Sequence, residues 1–186
     1  MQPTPSFREF VPVEPKAFRT QGAAGQKWFA VSVAPRHEKA VSRVLDCKGY
    51  ETFLPLYSRK HEYARRIRKF DLPLFPGYLF CRIDPTVRLP ILTTPGVRHF
   101  IGAGLVPIAI DEGEITALRR AVLAGIPMVP CPFWQSGQKG RISDGPLEGV
   151  EGIVVSARNP LRIILSVGLL QRSVLVEIDA HRVTTA

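Results

Sequence analysis

Leu74-Phe75-Pro76-Gly77-Tyr78-Leu79-Phe80-Cys81-Arg82-Ile83 joins a Pro-Gly pair to an apolar, aromatic run of strand length. It predicts a strand, with Pro76-Gly77 at an edge or a bulge where it begins, because proline cannot donate to a central ladder. Upstream, Trp28-Phe29-Ala30-Val31-Ser32-Val33 is a second short apolar run, closed by Pro35, and predicts a buried strand. Glu38 to Lys48 places Val41, Val44 and Leu45 on one helical face, with Lys39, Arg43 and Asp46 turned outward and Gly49 as the stop. Glu51 to Tyr57 reads as another strand. Arg59 to Lys69 (RKHEYARRIRK) is too polar to pack and is expected as an exposed hairpin or loop.

Downstream, Asp84-Pro85 signals a helix start, and Pro90 is expected to interrupt that helix early. Pro95-Gly96 is a turn before the strand Val97 to Ile101, and Pro107 to Ile110 is a further short strand. Asp111 and Glu114 resemble a capping box before Ile115, Leu118 and Val122, which recur at helical spacing until Gly125. The order β-α-β-β-α-β-α describes an α+β sandwich with an antiparallel sheet. Ile126 to Phe133 (IPMVPCPF) is proline-rich and is expected as a semi-rigid linker. Beyond it the pattern is β-rich: Leu161, Ile163, Leu165 and Val167 alternate, as do Val174, Val176 and Ile178. Turn signals at Asp144-Gly145-Pro146, Glu148-Gly149 and Arg158-Asn159-Pro160 suit a small closed or half-closed barrel. The expected organisation is a Pro-rich mobile tail over 1–26, an α+β domain over 27–125, a linker over 126–134 and a β domain over 135–186.

The chain has 186 residues and a net charge of +9, with 45% hydrophobic and 22% charged residues. That composition excludes full-length disorder and fits a chain that buries a core. Residues 26–70 carry +7 of the +9, and Arg59 to Lys69 alone carries +5. Charge of one sign gathered in so short a span makes a field that attracts phosphates. Cys47, Cys81 and Cys131 lie far apart, with no CxxC, which argues against a disulfide framework or a zinc ribbon. Cys81 sits within a strand pattern and reads as a core thiol. No apolar run reaches spanning length and the start has no signal-peptide stretch, so a cytoplasmic protein with no membrane partner is expected.

Catalysis finds little support. His37, His61, His99 and His181 are scattered without metal-ligand spacing. GxGxxG, GxxxxGK[ST] and GxSxG are absent, and Asp111, Glu112 and Glu114 are explained by a helix N-terminus. The expectation is a binding protein rather than an enzyme, with no catalytic residue, no metal and no cofactor.

Three segments in order resemble the NusG family of transcription elongation factors, over about residues 27–186. Leu74 to Phe80 looks like that family's FPGY strand, and Pro95 to Gly102 (PGVRHFIG) is similar to its PxVxxFIG segment. Gly137 to Val154 (GQKGRISDGPLEGVEGIV) looks like its KOW motif. The resemblance implies an N-terminal NusG-type (NGN) domain and a C-terminal KOW (SH3-like) barrel. It also implies docking on the clamp helices of the largest RNA polymerase subunit, through a patch that Phe75, Pro76, Tyr78 and Phe100 match. Pro35-Arg36-His37-Glu38-Lys39 and Leu72-Pro73-Leu74-Phe75 are similar to the specialised paralogues, the RfaH-like and UpxY-type regulators. In that group the strand-to-helix turn faces non-template DNA, which would give Arg36, His37 and Arg43 phosphate or base contacts.

The basic segment, with Arg65, Arg66, Arg68 and Lys69, is a candidate for upstream duplex DNA. Leu147 and Val150 stand where general NusG proteins carry aromatics, at the surface by which the family meets termination factor Rho or a ribosomal small-subunit protein. The function so implied is elongation and antitermination in particular operons. The alternatives are a general NusG factor and, from another class, a ribosome-associated RNA-binding protein.

Overall fold

The computed structural model describes residues 10–11, 25–63, 66–131, 133, 138–156, 161–178 and 183–185. The elements are, in order, β1 (Phe10–Val11), β2 (Lys27–Val33), α1 (Glu38–Cys47), β3 (Glu51–Phe53), β4 (Leu56–Tyr63), β5 (Arg66–Pro73) and β6 (Tyr78–Ile83). There follow α2 (Leu89–Leu92), β7 (Val97–Phe100), β8 (Gly102–Ala103), β9 (Val106–Pro107), β10 (Ala109–Ile110) and α3 (Glu112–Leu123). The C-terminal part holds β11 (Met128–Cys131), β12 (Gln138–Ile142), β13 (Glu151–Ser156), β14 (Leu161–Val167), β15 (Arg172–Ile178) and β16 (Val183–Thr185).

The N-terminal sheet runs β10-β2-β6-β3, with β7 also paired to β2, and every pairing is antiparallel. Strand alternation sorts its apolar residues onto two faces. Phe29, Val31, Val33, Leu79, Cys81 and Ile83 meet Val41 and Leu45 of α1 and Ile91 of α2. Trp28, Ala30, Phe53 and Phe80 meet Ile115, Leu118 and Ala121 of α3. A strand buried on both sides must be apolar throughout, which is why β2 and β6 read as continuous apolar runs. Cys81 is fully buried there, and burial drives its thiol far above its ordinary value.

Local expectations hold in kind and shift at their edges. Glu51 to Tyr57 divides into β3 and the start of β4 around Leu54-Pro55. The strand expected from Leu74 begins only at Tyr78, because Leu74 to Gly77 form the turn that enters it. Pro90 does not interrupt a helix: Asp84 caps a 3-10 turn over Pro85–Val87, and Pro90 lies in the first turn of α2, where its missing N–H costs nothing. Val44 is 41% exposed, so the apolar face of α1 is narrower than expected. Most of the expected tail over 1–26 lies outside the described residues, but Phe10–Val11 pair with Arg59 and Ser58 of β4.

The C-terminal sheet runs β11-β15-β14-β13-β12-β16, again antiparallel. Ile163 stands opposite Val176 and Leu165 opposite Val174, so the alternating residues share one face. Met128–Cys131 is not linker: it pairs with Ser173 to Val176 as a strand of this sheet. Pro130 is tolerated because β11 lies at the end of the sheet, where one side of the strand needs no partner.

Helix α3 belongs to both parts. Its residues and those of the C-terminal sheet, including Leu147, Leu165, Val167 and Leu170, form one apolar cluster with the N-terminal sheet. Asp111 caps α3 by accepting from the N–H groups of Gly113 and Glu114. The Glu114 carboxylate, expected to close a capping box, accepts instead from the Gly168 N–H at 3.1 Å, and Arg120 donates to the Glu148 carbonyl. Burial pushes the Glu114 carboxyl above its ordinary value of 4.5; the Gly168 N–H opposes that shift and the nearby Asp111 charge adds to it.

Two outcomes are expected. A Cβ at Gly152 would lie 2.3 Å from Ile163 Cγ2 and 2.7 Å from the Ile164 carbonyl oxygen. Gly152→Ala should therefore cost about 1–3 kcal/mol, seen as a lower midpoint in urea melts. Glu114 binds its proton more tightly folded than unfolded, so its contribution to stability falls as pH rises from about 4.5 through the raised value. Glu114→Gln, which keeps the neutral form, should lack this decline in thermal melts as pH rises, and should resemble the parent most closely at the acid end.

Candidate functional site

Three turns meet at one end of the N-terminal sheet. After β2 the chain passes Ala34-Pro35-Arg36-His37 into α1. The Val33 N–H donates to the Gly77 carbonyl and the Ala34 N–H to the Gly96 carbonyl, both at 2.8 Å. Glu38, only 5% exposed, accepts from the Gly77 N–H at 2.8 Å. A buried carboxylate thus ties the strand-to-helix turn to the Pro76-Gly77 turn, and the charge-assisted bond offsets its desolvation. Gly77 takes φ +84°, which excludes most side chains, and Gly96 takes φ +92° beneath His37, whose Cβ would lie 3.2 Å from an added Cβ. Sequence reasoning passed over Glu38, which looks like any acidic residue at a helix start; its partner lies 39 positions away.

This knot holds Arg36 at φ +66°, a left-handed conformation that costs free energy in a residue with a Cβ. Arg36 and His37 are exposed, as is Arg43 on α1. His37 Nδ1 donates to the Pro35 carbonyl at 3.0 Å, which leaves Nε2 of the neutral ring as an acceptor. The structure therefore brings Arg36 and His37 together on a braced turn, with Arg43 farther along the same helix.

The basic segment is a hairpin of β4 and β5, longer than expected at both ends. Its register sets Lys60 opposite Lys69, His61 opposite Arg68 and Tyr63 opposite Arg66. Like charges at paired positions destabilise a hairpin unless something neutralises them. Arg65 lies outside the described residues, and Lys69 is exposed. Near its base, Ser58 is buried and donates to the Asp71 carboxylate, while Phe70 (48%) and Leu72 (37%) are exposed.

The expected aromatic patch is corrected. Phe75 is buried and packs edge-on against Phe80, with ring centres 5.5 Å apart. Phe100 is buried on the opposite face of the sheet, edge-on to Phe29 at 6.2 Å. The two cannot share a contact surface: the sheet lies between them, and each fills its own core. Pro76 is exposed and Tyr78 half-buried, so the surface portion of the motif is the turn and the tyrosine. Leu147 is likewise buried in the apolar cluster, because the turn from Gly145 to Val150 folds back through the Glu148 N–H to Gly145 and Val150 N–H to Leu147 bonds. Val150 is half-buried. Exposed apolar residues that the motif did not indicate are Leu89 (69%) and Leu105 (89%).

Among the described residues, no three His, Cys, Asp or Glu side chains gather as metal ligands, and no helix is long and apolar enough to cross a membrane. Burial raises the Cys131 thiol to about 12, far from the thiolate a nucleophile needs.

Comparison with known proteins agrees with this architecture. The transcription termination/antitermination protein NusG of Thermus thermophilus is 30% identical over 125 residues, covering 61% of this chain and 67% of that protein. The protein of the same name from Pseudomonas aeruginosa is 27% identical over 173 residues, covering 85% and 97%. A structure of Thermotoga maritima NusG, solved for its domain interaction, shares the fold with a TM-score of 0.53 at 18% identity, over 85% of this chain and 96% of that one. The family model for transcription termination factor NusG matches residues 26–119, from the start of β2 into α3. By that match, the chain belongs to the NusG family.

Proposed function

We propose that this protein is a specialised NusG-type elongation factor, which rides on RNA polymerase, holds exposed non-template DNA and suppresses pausing and termination in particular operons. The observation that carries the reading is the braced turn: Arg36 is held in a costly backbone conformation and stands exposed beside His37. Strain of that kind persists only where surrounding structure over-determines it, and it gathers at working sites. Family membership supports transcription as the setting, since relatives at 30% and 27% identity are named transcription termination/antitermination proteins. The Pro-Arg-His-Glu-Lys stretch supports the specialised branch.

In this reading the polymerase clamp helices meet the exposed Pro76 and the half-buried Tyr78, with Phe75 acting from beneath as packing. The β4–β5 hairpin lies along upstream duplex DNA, whose phosphates neutralise its facing cations. The C-terminal sheet is a KOW barrel, and Val150 is the residue of its turn left to meet a protein partner. The protein works in the cytoplasm, needs no cofactor and performs no catalysis. A second reading, the general NusG factor, is favoured by relatives that match along nearly their whole length. Stimulation of Rho-dependent termination would select it.

Tyr78→Ala should weaken capture of core RNA polymerase by about tenfold or more at a temperature where the variant is still folded, because a partly exposed aromatic is a typical interface anchor; since Tyr78 also packs against the core, the variant should melt lower than the parent. Unchanged capture would remove this turn from the interface. In single-round transcription, the parent protein should shorten pauses and raise read-through, and Arg36→Ala should reduce the effect without reducing polymerase capture.

A further inference from the structure

The β4–β5 ladder is unbroken from the Leu56–Pro73 pair to the Tyr63–Arg66 pair, so its register assigns every position to a face. On one face each arginine pairs with a ring: Arg59 with Phe70, Arg68 with His61 and Arg66 with Tyr63. That face holds no carboxylate and carries +3 with His61 neutral. On the other face Lys60 pairs with Lys69, and the flanking pairs bring Glu62 and Asp71. Two lysines there meet two carboxylates, and the charges cancel. The hairpin's positive charge is thus sorted by face, which the order of residues along the chain does not display.

Burial follows the same division near the base of the hairpin. Arg59, Phe70 and Leu72 of the arginine face are exposed, whereas Ser58 of the other face is buried and donates to Asp71. Phe10 of β1 pairs with Arg59 from its other side, so that arginine stands between two phenylalanine positions. Successive arginine pairs are two steps apart, which is about 7 Å along the ribbon at about 3.4 Å per residue. That interval is close to the spacing of neighbouring phosphates along one strand of B-form DNA. A fixed interval favours a rigid partner: a duplex holds its phosphates at constant spacing, and a flexible single strand does not. The major groove of a duplex also admits a two-stranded ribbon.

We propose that the arginine face of the hairpin, and not its lysine face, is the side that lies against duplex DNA, an inference that rests on the duplex reading of this hairpin. Arg59 neutralises a backbone phosphate, and Phe70 covers apolar sugar and base edges in the groove. Arginine suits such a face better than lysine, because a planar guanidinium packs on a ring and keeps its N–H fork for a phosphate. Charge complementarity selects the occupant: cations without a carboxylate among them match a polyanion. The lysine pair, compensated by Glu62 and Asp71, turns away from the DNA.

The test is fluorescence anisotropy of a short labelled DNA duplex with the full chain, across a salt series and at a temperature where every variant is folded. Arg59→Ala should weaken binding about five- to tenfold and reduce the slope of log affinity against log salt by about 0.9, one phosphate contact on B-DNA. Arg59→Lys should keep the slope, which separates the phosphate contact from a loss of fold. Phe70→Ala should weaken binding about threefold with the slope unchanged, since it removes no charge. Lys69→Ala removes the same charge from the opposite face and should change affinity by less than about twofold, through screened long-range attraction alone. If Lys69→Ala loses as much affinity and slope as Arg59→Ala, the choice of face is overturned and the duplex reading stands. If the parent does not bind the duplex, the duplex reading of the hairpin falls as well. If the parent binds one separated strand more tightly than the duplex, the occupant is a single strand and the proposal falls. It falls too if Arg59→Ala and Phe70→Ala bind the duplex as the parent does but lose polymerase capture, because the face is then a protein contact.

Discussion

The ion pair between Glu51 and Arg119 joins β3 to α3 at 2.8 Å, with the two side chains 7% and 14% exposed. A pair so buried is costly to break from one side, since the survivor remains an uncompensated charge. Around it, Arg119 and Arg82 place their guanidinium groups 5.5 and 6.0 Å from the centre of the Trp28 ring, and the Trp28 indole N–H donates to Glu112. These contacts set the position of α3 on the N-terminal sheet. Everything beyond depends on that placement, because the C-terminal sheet packs on the same helix and shares its apolar cluster. The two halves of the chain are thus coupled through one helix, with Glu114 and Arg120 as its polar links to the C-terminal side.

At the other end of the sheet a second buried carboxylate has a comparable role on a smaller scale. Glu38 joins the turn before α1 to the turn before β6, and the Gly96 turn closes the third side. The outcome is a rigid frame from which exposed cations project. Rigidity lowers the entropy a charged side chain loses on meeting its ligand, so a braced turn binds better than the same residues on a free loop. The β4–β5 hairpin shows the opposite economy: its register puts Lys60 against Lys69, like charges at paired positions, which works against the hairpin.

Much of the fold was legible in the chain. The apolar runs at Trp28–Val33 and Tyr78–Ile83, the α3 periodicity and the alternation at Leu161–Val167 each correspond to an element. Proline was the least reliable guide. Pro90 was expected to break a helix and starts one, and the proline-rich stretch at Met128–Cys131 was expected as linker and is a strand. In both cases the missing N–H falls where no partner is required, at a helix start or a sheet end, and only tertiary placement decides that. Of the candidate residues, Arg36 and His37 stand exposed, whereas Phe75, Phe100 and Leu147 are core, a division that residue type alone did not display.

By itself the sequence determined the apolar runs that become strands, the concentration of cations between residues 26 and 70, and the family. These depend on local periodicity and on residue type, which a linear chain displays. The tertiary structure alone decided which aromatics reach the surface, because a strand residue is in or out according to what covers its face. It also decided the company that residues keep: Glu38 with Gly77, Glu114 with Gly168, and Ala34 with Gly96. Such partners are far apart in the chain, and nothing local to either one names the other.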